Sequence, residues 1–170
     1  VANVSAGMQA HLAKTGGGKF GMTTPIYGPI LRGQLYHELA EINPVENQKT
    51  FFECEFGIRI GKDAPRGSRP YTRESIGEYI DACMAGIEIV EWSLDKNAYD
   101  VPHGFLGIAD NGCNRGAVFG PPVTDWNTFD VNKLSARILK NGEEVLRGDA
   151  SALLGHPFEV ASWLGNRLID

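Results

Sequence analysis

The segment Phe51-Phe52-Glu53-Cys54-Glu55-Phe56 constrains this chain more than any other. Phe52, Cys54, Phe56, Ile58 and Ile60 alternate with Glu53, Glu55, Gly57 and Arg59, which is the period of a β-strand. Side chains two apart on a strand share a face, so Glu53 and Glu55 lie side by side. Like charges so placed repel, and on a half-buried strand they also lose water. Two arrangements satisfy them. One is a solvated polar face on an edge strand. The other is a divalent cation held through carboxylate oxygens.

The rest of the composition narrows the setting. With 170 residues, the chain is long enough to bury a sizeable core, and we expect residues 1–170 to form a single catalytic-type domain. Hydrophobic residues make up 42% and charged residues 22%, which is ordinary for a globular protein. A formal net charge of −5 without a dense Lys/Arg block argues against nucleic acid or an anionic membrane as partner. No apolar run reaches the length of a membrane span, and no secretory pattern opens the chain. Cys54, Cys83 and Cys113 lie far apart without C-x-x-C spacing, which argues against a disulfide framework or a zinc site and makes the cytoplasm the expected compartment. The 21 glycines and the short apolar runs read as β-rich.

Local patterns supply the expected elements. Met8, Leu12 and Ala13 outline a weak helical face within residues 1–14, Lys19 to Thr24 is strand-like, and Pro25 to Pro29 reads as a turn-rich connection. Leu35 to Ile42 is ambiguous. Residues 51–60 form the carboxylate strand and residues 61–70 a loop. Thr72 caps a helix expected to reach about Met84, with Ile76, Tyr79, Ile80, Cys83 and Met84 on one stripe. Gly86 to Trp92 reads as a buried strand, residues 95–107 as a loop and Ala117 to Phe119 as a short strand. Asn141-Gly142 marks a two-residue hairpin turn between Leu134–Leu139 and Glu144–Leu146. Pro157 suits the first turn of a final helix through Leu168.

Glu88 is the third carboxylate of interest. Ile87, Ile89 and Val90 around it are apolar, so its strand is largely buried. A buried carboxylate pairs with a cation, protonates or is otherwise costly. Pairing with Arg or Lys is one outcome. Convergence with Glu53 and Glu55 on one octahedral ion, Mg²⁺ or Mn²⁺, is the other.

The order of segments carries a resemblance. Gly17-Gly18-Lys19-Phe20-Gly21-Met22-Thr23-Thr24, Phe52-Glu53-Cys54-Glu55-Phe56, Gly86-Ile87-Glu88-Ile89-Val90-Glu91, then Ile108 to Gly120 and Leu153 to Leu168, together resemble the 2-keto-4-pentenoate hydratase and 4-oxalocrotonate decarboxylase group of the fumarylacetoacetate hydrolase superfamily. The resemblance runs from Gly17 to Leu168. It implies an α+β, β-rich fold, a mixed β-roll of fumarylacetoacetate-hydrolase type with flanking helices, apparently truncated at both ends. It also implies Glu53, Glu55 and Glu88 as ligands of Mg²⁺ or Mn²⁺, Lys19 as the catalytic lysine facing substrate, and Asp110 and Asn111 as substrate-binding residues. The implied activity is that of a metal-dependent lyase on a small 2-oxo or 2-hydroxydienoic acid, with hydration preferred. Decarboxylation of an oxalocrotonate-like acid, hydrolysis of a C–C bond and a non-catalytic supporting subunit are the alternatives. A homo-oligomer, or a partner subunit that completes the site, is expected.

Departures from the group's pattern accompany the match. The stretch Ile26 to Gly33 carries no acid where the group has one, and Trp92-Ser93 replaces a segment that contains an arginine. Cys113 and Asn114 stand where the group has serines. Metal binding alone does not supply proton transfer, so such changes point to altered chemistry. His156 reads as structural, at a helix start, and His103 as a loop residue. Trp92, Trp126 and Trp163 read as core or interface. The glycine run before Lys19 lacks the spacing and preceding strand of a phosphate-binding loop.

Overall fold

The structure, a computed structural model, describes residues 7–11, 25–46, 48–65, 70–92 and 105–169. The strands are β1 (Gly7–His11), β2 (Ile26–Ile30), β3 (Leu35–His37), β4 (Lys49–Ile60), β5 (Ile80–Trp92), β6 (Asn114–Phe119), β7 (Ser135–Lys140) and β8 (Glu143–Asp149). The helices are α1 (Arg73–Gly77), α2 (Phe105–Ala109) and α3 (Pro157–Ile169). A four-stranded sheet has the order β3-β6-β5-β4, and β1-β2 and β7-β8 form two further antiparallel pairs. The sheet is mixed with few helices, as expected. The chain divides into two compact units, Val1–Glu53 with Ile87–Phe119 and Cys54–Gly86 with Gly120–Asp170.

The first unit holds β1, β2, β3, β6 and α2, with the start of β4 and the end of β5. β3 runs parallel to β6, with Leu35, Tyr36 and His37 opposite Ala117, Val118 and Phe119. That approach needs Gly116, whose φ is +155°; a Cβ there would lie 2.5 Å from the Gln34 carbonyl oxygen. Val90 and Cys113 form its small buried core with Trp92 against them, and Trp92 meets Phe51 at a ring separation of 5.1 Å.

Two expectations are corrected in this unit. Residues 7–11 form a strand, not part of a helix, paired with β2 from Gly7 opposite Ile30 to His11 opposite Ile26. The Pro25–Pro29 stretch is therefore mostly strand. Proline lacks a ladder donor but is accepted on an edge, and the two-stranded β1-β2 pair leaves each strand such an edge. Of the ambiguous Leu35–Ile42 stretch, three residues are β3.

The second unit packs its core from Tyr71, Ile76, Ile80, Cys83, Val131 and Phe158, with Phe56, Ile58, Trp126 and Ala161 against them. Thr72 caps α1 as expected, accepting from the Ser75 amide. The helix ends at Gly77, however, and Ile80 to Met84 belong to β5. Apolar residues at 76, 79, 80 and 83 suit either period, so the stripe alone does not choose. Backbone pairing decides: Cys83 exchanges both hydrogen bonds with Val123, at 3.0 and 2.8 Å, and the Gly61 amide donates to the Tyr79 carbonyl. β7 and β8 form the expected hairpin, with Asn141 at φ 54° and Gly142 at φ 90°. α3 spans the expected residues. Its Asn166 amide brackets Tyr71, accepting from the backbone N–H at 2.6 Å and donating to the carbonyl at 2.9 Å.

His156 sits at the start of α3. Its Nδ1 accepts from the Phe158 amide at 3.0 Å, and its ring meets Phe158 at 5.2 Å. This is a capping arrangement that satisfies one of the helix's orphan donors. It requires an unprotonated Nδ1. Burial and then the Arg73 charge push the imidazole below its usual range, against the opposing pull of Asp130, Glu159 and Glu74.

Two outcomes follow. Asn166→Ala removes both of its hydrogen bonds to the Tyr71 backbone, and equilibrium urea unfolding should show a loss of about 1–3 kcal/mol; an unmoved midpoint would remove Asn166 from the packing account. For His156 the folded state resists protonation, so the unfolded chain binds more protons below pH 6.5, the unperturbed value. Its contribution is whole above that pH and is lost as pH falls through the depressed folded value. The melting temperature of the native chain should therefore drop more between pH 7 and 5 than that of His156→Asn.

Candidate metal centre

β4 presents Glu53 and Glu55 with Cys54 between them, and β5 presents Glu88. One carboxylate oxygen from each of the three lies within 4.8 Å of the others. Glu53 is exposed, Glu55 half-buried and Glu88 buried, at 4% exposure. Ionised carboxylates at such separation repel by roughly 1–3 kcal/mol per pair across effective dielectric constants of about 80 to 20. The donor set is hard and all oxygen. Burial, then the Glu55 charge, push the Cys54 thiol up, which keeps it from the thiolate form a soft metal would take. The donor chemistry therefore fits Mg²⁺ or Mn²⁺.

Glu88 is supported from β6. Asn114, 2% exposed, donates from Nδ2 to Glu88 Oε1 at 2.7 Å, and more weakly to the Gly116 carbonyl at 3.4 Å. Both of these groups accept, so only the NH₂ side of the amide can face them. Asn114 Oδ1 then has no hydrogen-bond partner among the described residues. An unmet buried acceptor costs about 1–3 kcal/mol, so this orientation sacrifices one amide atom to serve the carboxylate.

The turn before β6 places Asn114. Asn111, Gly112 and Cys113 all have positive φ, at 51°, 68° and 63°. Left-handed backbone costs a non-glycine residue about 1 kcal/mol or more, asparagine being the most tolerant. The Asn111 side chain anchors the turn by donating to the Pro29 carbonyl at 2.9 Å. Gly28 makes room for it, since a Cβ there would lie 1.9 Å from Asn111 Oδ1.

A second charge network flanks the first. Glu91, 9% exposed, has its carboxylate 3.7 Å from Arg115 Nε and accepts from the Val45 amide and the Thr50 hydroxyl. Arg115 also donates to Asp110 at 2.9 Å. The structure thus brings Glu53, Glu55 and Glu88 together and places Asp110 and Asn111 in the turn that leads to β6. Lys19 lies outside the described residues, as does His103. Asn114, Glu91 and Arg115 escaped sequence reasoning as supporting residues. Only Asn114 carried a signal, as an asparagine where the group has a serine.

Arg115→Met should strip the buried Glu91 carboxylate of its cation. Because Arg115 is 27% exposed, screening reduces the loss below that of a fully buried pair, to about 1–3 kcal/mol. Urea unfolding measures it, and a neutral result would reduce the network to ornament.

Comparisons with known proteins identify the family and the fold. The chain is 24% identical over 150 residues to the 2-oxo-hept-4-ene-1,7-dioate hydratase of Escherichia coli, covering 86% of this chain and 55% of that one. It is 22% identical over 151 residues to the 2-keto-4-pentenoate hydratase of Paraburkholderia phymatum, covering 89% and 56%. Among solved structures, 4-oxalocrotonate decarboxylase from Pseudomonas putida G7, complexed with magnesium and adipate, superposes with a TM-score of 0.69 at 21% identity, over 88% of this chain and 55% of that one. The chain spans about half the length of these relatives. The family described as fumarylacetoacetate (FAA) hydrolase C-terminal matches residues 35–168, and the chain belongs to that family.

Proposed function

We propose that this chain is the metal-binding catalytic domain of a lyase that hydrates a small 2-hydroxydienoic acid to a 4-hydroxy-2-oxo acid. The observation that carries the reading is the convergence of Glu53, Glu55 and Glu88 within 4.8 Å. These residues would hold Mg²⁺ or Mn²⁺. When bound, such an ion supplies Lewis-acid polarisation of the carboxylate and 2-oxo oxygens of a 2-oxo acid. Lys19 is assigned as the group that holds or moves the proton, since a lysine desolvated beside a cation gives up its proton more readily. Asp110 and Asn111 are assigned to the substrate side, where their turn leads into the strand that supports Glu88. The hydratases and decarboxylase similar to the chain support the reaction class. Free Cys54, Cys83 and Cys113 support a cytosolic setting, where thiols stay reduced.

Decarboxylation is the second reading, favoured by the likeness in fold to the decarboxylase. Hydrolysis of a C–C bond is less favoured. His156 is engaged at the α3 start and is poorly placed to serve as the acid–base histidine such chemistry usually needs.

Purified protein with Mg²⁺ should bleach the absorbance of 2-hydroxypenta-2,4-dienoate, because adding water removes the conjugated diene. CO₂ release from an oxalocrotonate analogue in its place would select the second reading. Metal binding with neither reaction would select the supporting subunit. The double substitution Glu53→Gln, Glu55→Gln should weaken Mn²⁺ binding by more than about 100-fold, beyond what loss of a supporting residue does, and should abolish turnover. Undiminished turnover would take the carboxylates out of the mechanism.

A further inference from the structure

We infer that Asn114 is the positioning residue of the metal centre, holding the Glu88 carboxylate in the orientation that a cation requires; this rests on the metal reading proposed above. Three observations carry it. Asn114 and Glu88 are both buried, at 2% and 4% exposure, so their contact is shielded from water. The 2.7 Å donation from Nδ2 to Oε1 is of charge-assisted length. Oδ1 is buried without a hydrogen-bond partner among the described residues, so the amide's orientation is set by what Nδ2 serves.

The placement is specific. Asn114 opens β6 directly after the three left-handed residues Asn111 to Cys113. Gly116, which receives the weaker Nδ2 contact through its carbonyl, is fixed by the close approach to Gln34. Two rigid backbone features therefore hold the amide, and the amide holds the carboxylate. A carboxylate that donates one oxygen to a cation gains affinity when its other freedom is removed beforehand. Residues of this kind are worth tenfold to a hundredfold in metal affinity. An apolar side chain in the same volume would fill the core equally well and leave no orphaned acceptor. Packing alone does not account for an amide here.

The experiment is calorimetric titration of the full chain with Mn²⁺, for the native protein, Asn114→Leu and Asn114→Ser. Asn114→Leu keeps the branched shape and the number of side-chain heavy atoms while removing the donor, and Asn114→Ser restores a hydroxyl donor. We expect Asn114→Leu to bind about 10- to 100-fold more weakly, and Asn114→Ser to recover part of the loss. Asn166→Ala, a destabilising change in the other unit, is the control and should bind Mn²⁺ as the native chain does. Should Asn114→Leu not fold, Asn114→Ala against Asn114→Ser isolates the same donor, with the alanine variant expected to bind several-fold more weakly. Equal affinities across the Asn114 variants would overturn the inference, as would a loss that Asn166→Ala reproduces. Native protein that binds no Mn²⁺ overturns the metal reading and this inference together. Native binding that disappears in Glu53→Gln but persists in every Asn114 variant overturns this inference alone.

Discussion

The pleat of two strands, which commits their apolar side chains to cores and so gathers three carboxylates, is the constraint on which the described site depends. Glu53 and Glu55 are forced onto one face by the pleat of β4, and Glu88 joins them from β5 to within 4.8 Å. Nothing in hydrophobic collapse favours such a gathering, because each carboxylate would individually be better solvated elsewhere. The gathering persists because the backbone that carries it is strand, whose side-chain directions cannot be changed without turning every neighbouring apolar residue outward. Phe56 and Ile58 on β4 and Ile89 and Val90 on β5 are committed to cores, and the acids follow from that commitment.

The buried acids are then met by different partners. Glu88 accepts from the neutral Asn114 amide, whereas Glu91 faces the Arg115 guanidinium, itself shared with Asp110. The contrast has a chemical consequence. A guanidinium neutralises the carboxylate it pairs with, while an amide donor orients a carboxylate without adding charge. Two acids three residues apart on one strand thereby meet chemically different partners.

Much of the fold was legible from local pattern. The β4 alternation, the Thr72 cap, the Asn141-Gly142 turn and the α3 start at Pro157 each have a short-range physical cause, and each stands as read. The failures share a different cause. Ile76, Tyr79, Ile80 and Cys83 satisfy helical and extended periods alike, and Val123, forty residues away from Cys83, settles the matter by pairing with it. Pro25, Gly28 and Pro29 look like a turn until β1 supplies a partner. The family assignment, from residues 35–168, and the likeness of fold to the decarboxylase agree with the segment order read from the chain.

The amino-acid order by itself determined that Glu53 and Glu55 share a face and that Glu88 sits in an apolar strand, because period and neighbour identity are local properties of a pleated backbone. It could not determine that the three oxygens meet, nor that Asn114 turns its amide nitrogen toward Glu88. Those depend on which strands lie adjacent in the sheet and on a left-handed turn just before β6, and both are settled only when distant segments compete for the same hydrogen bonds.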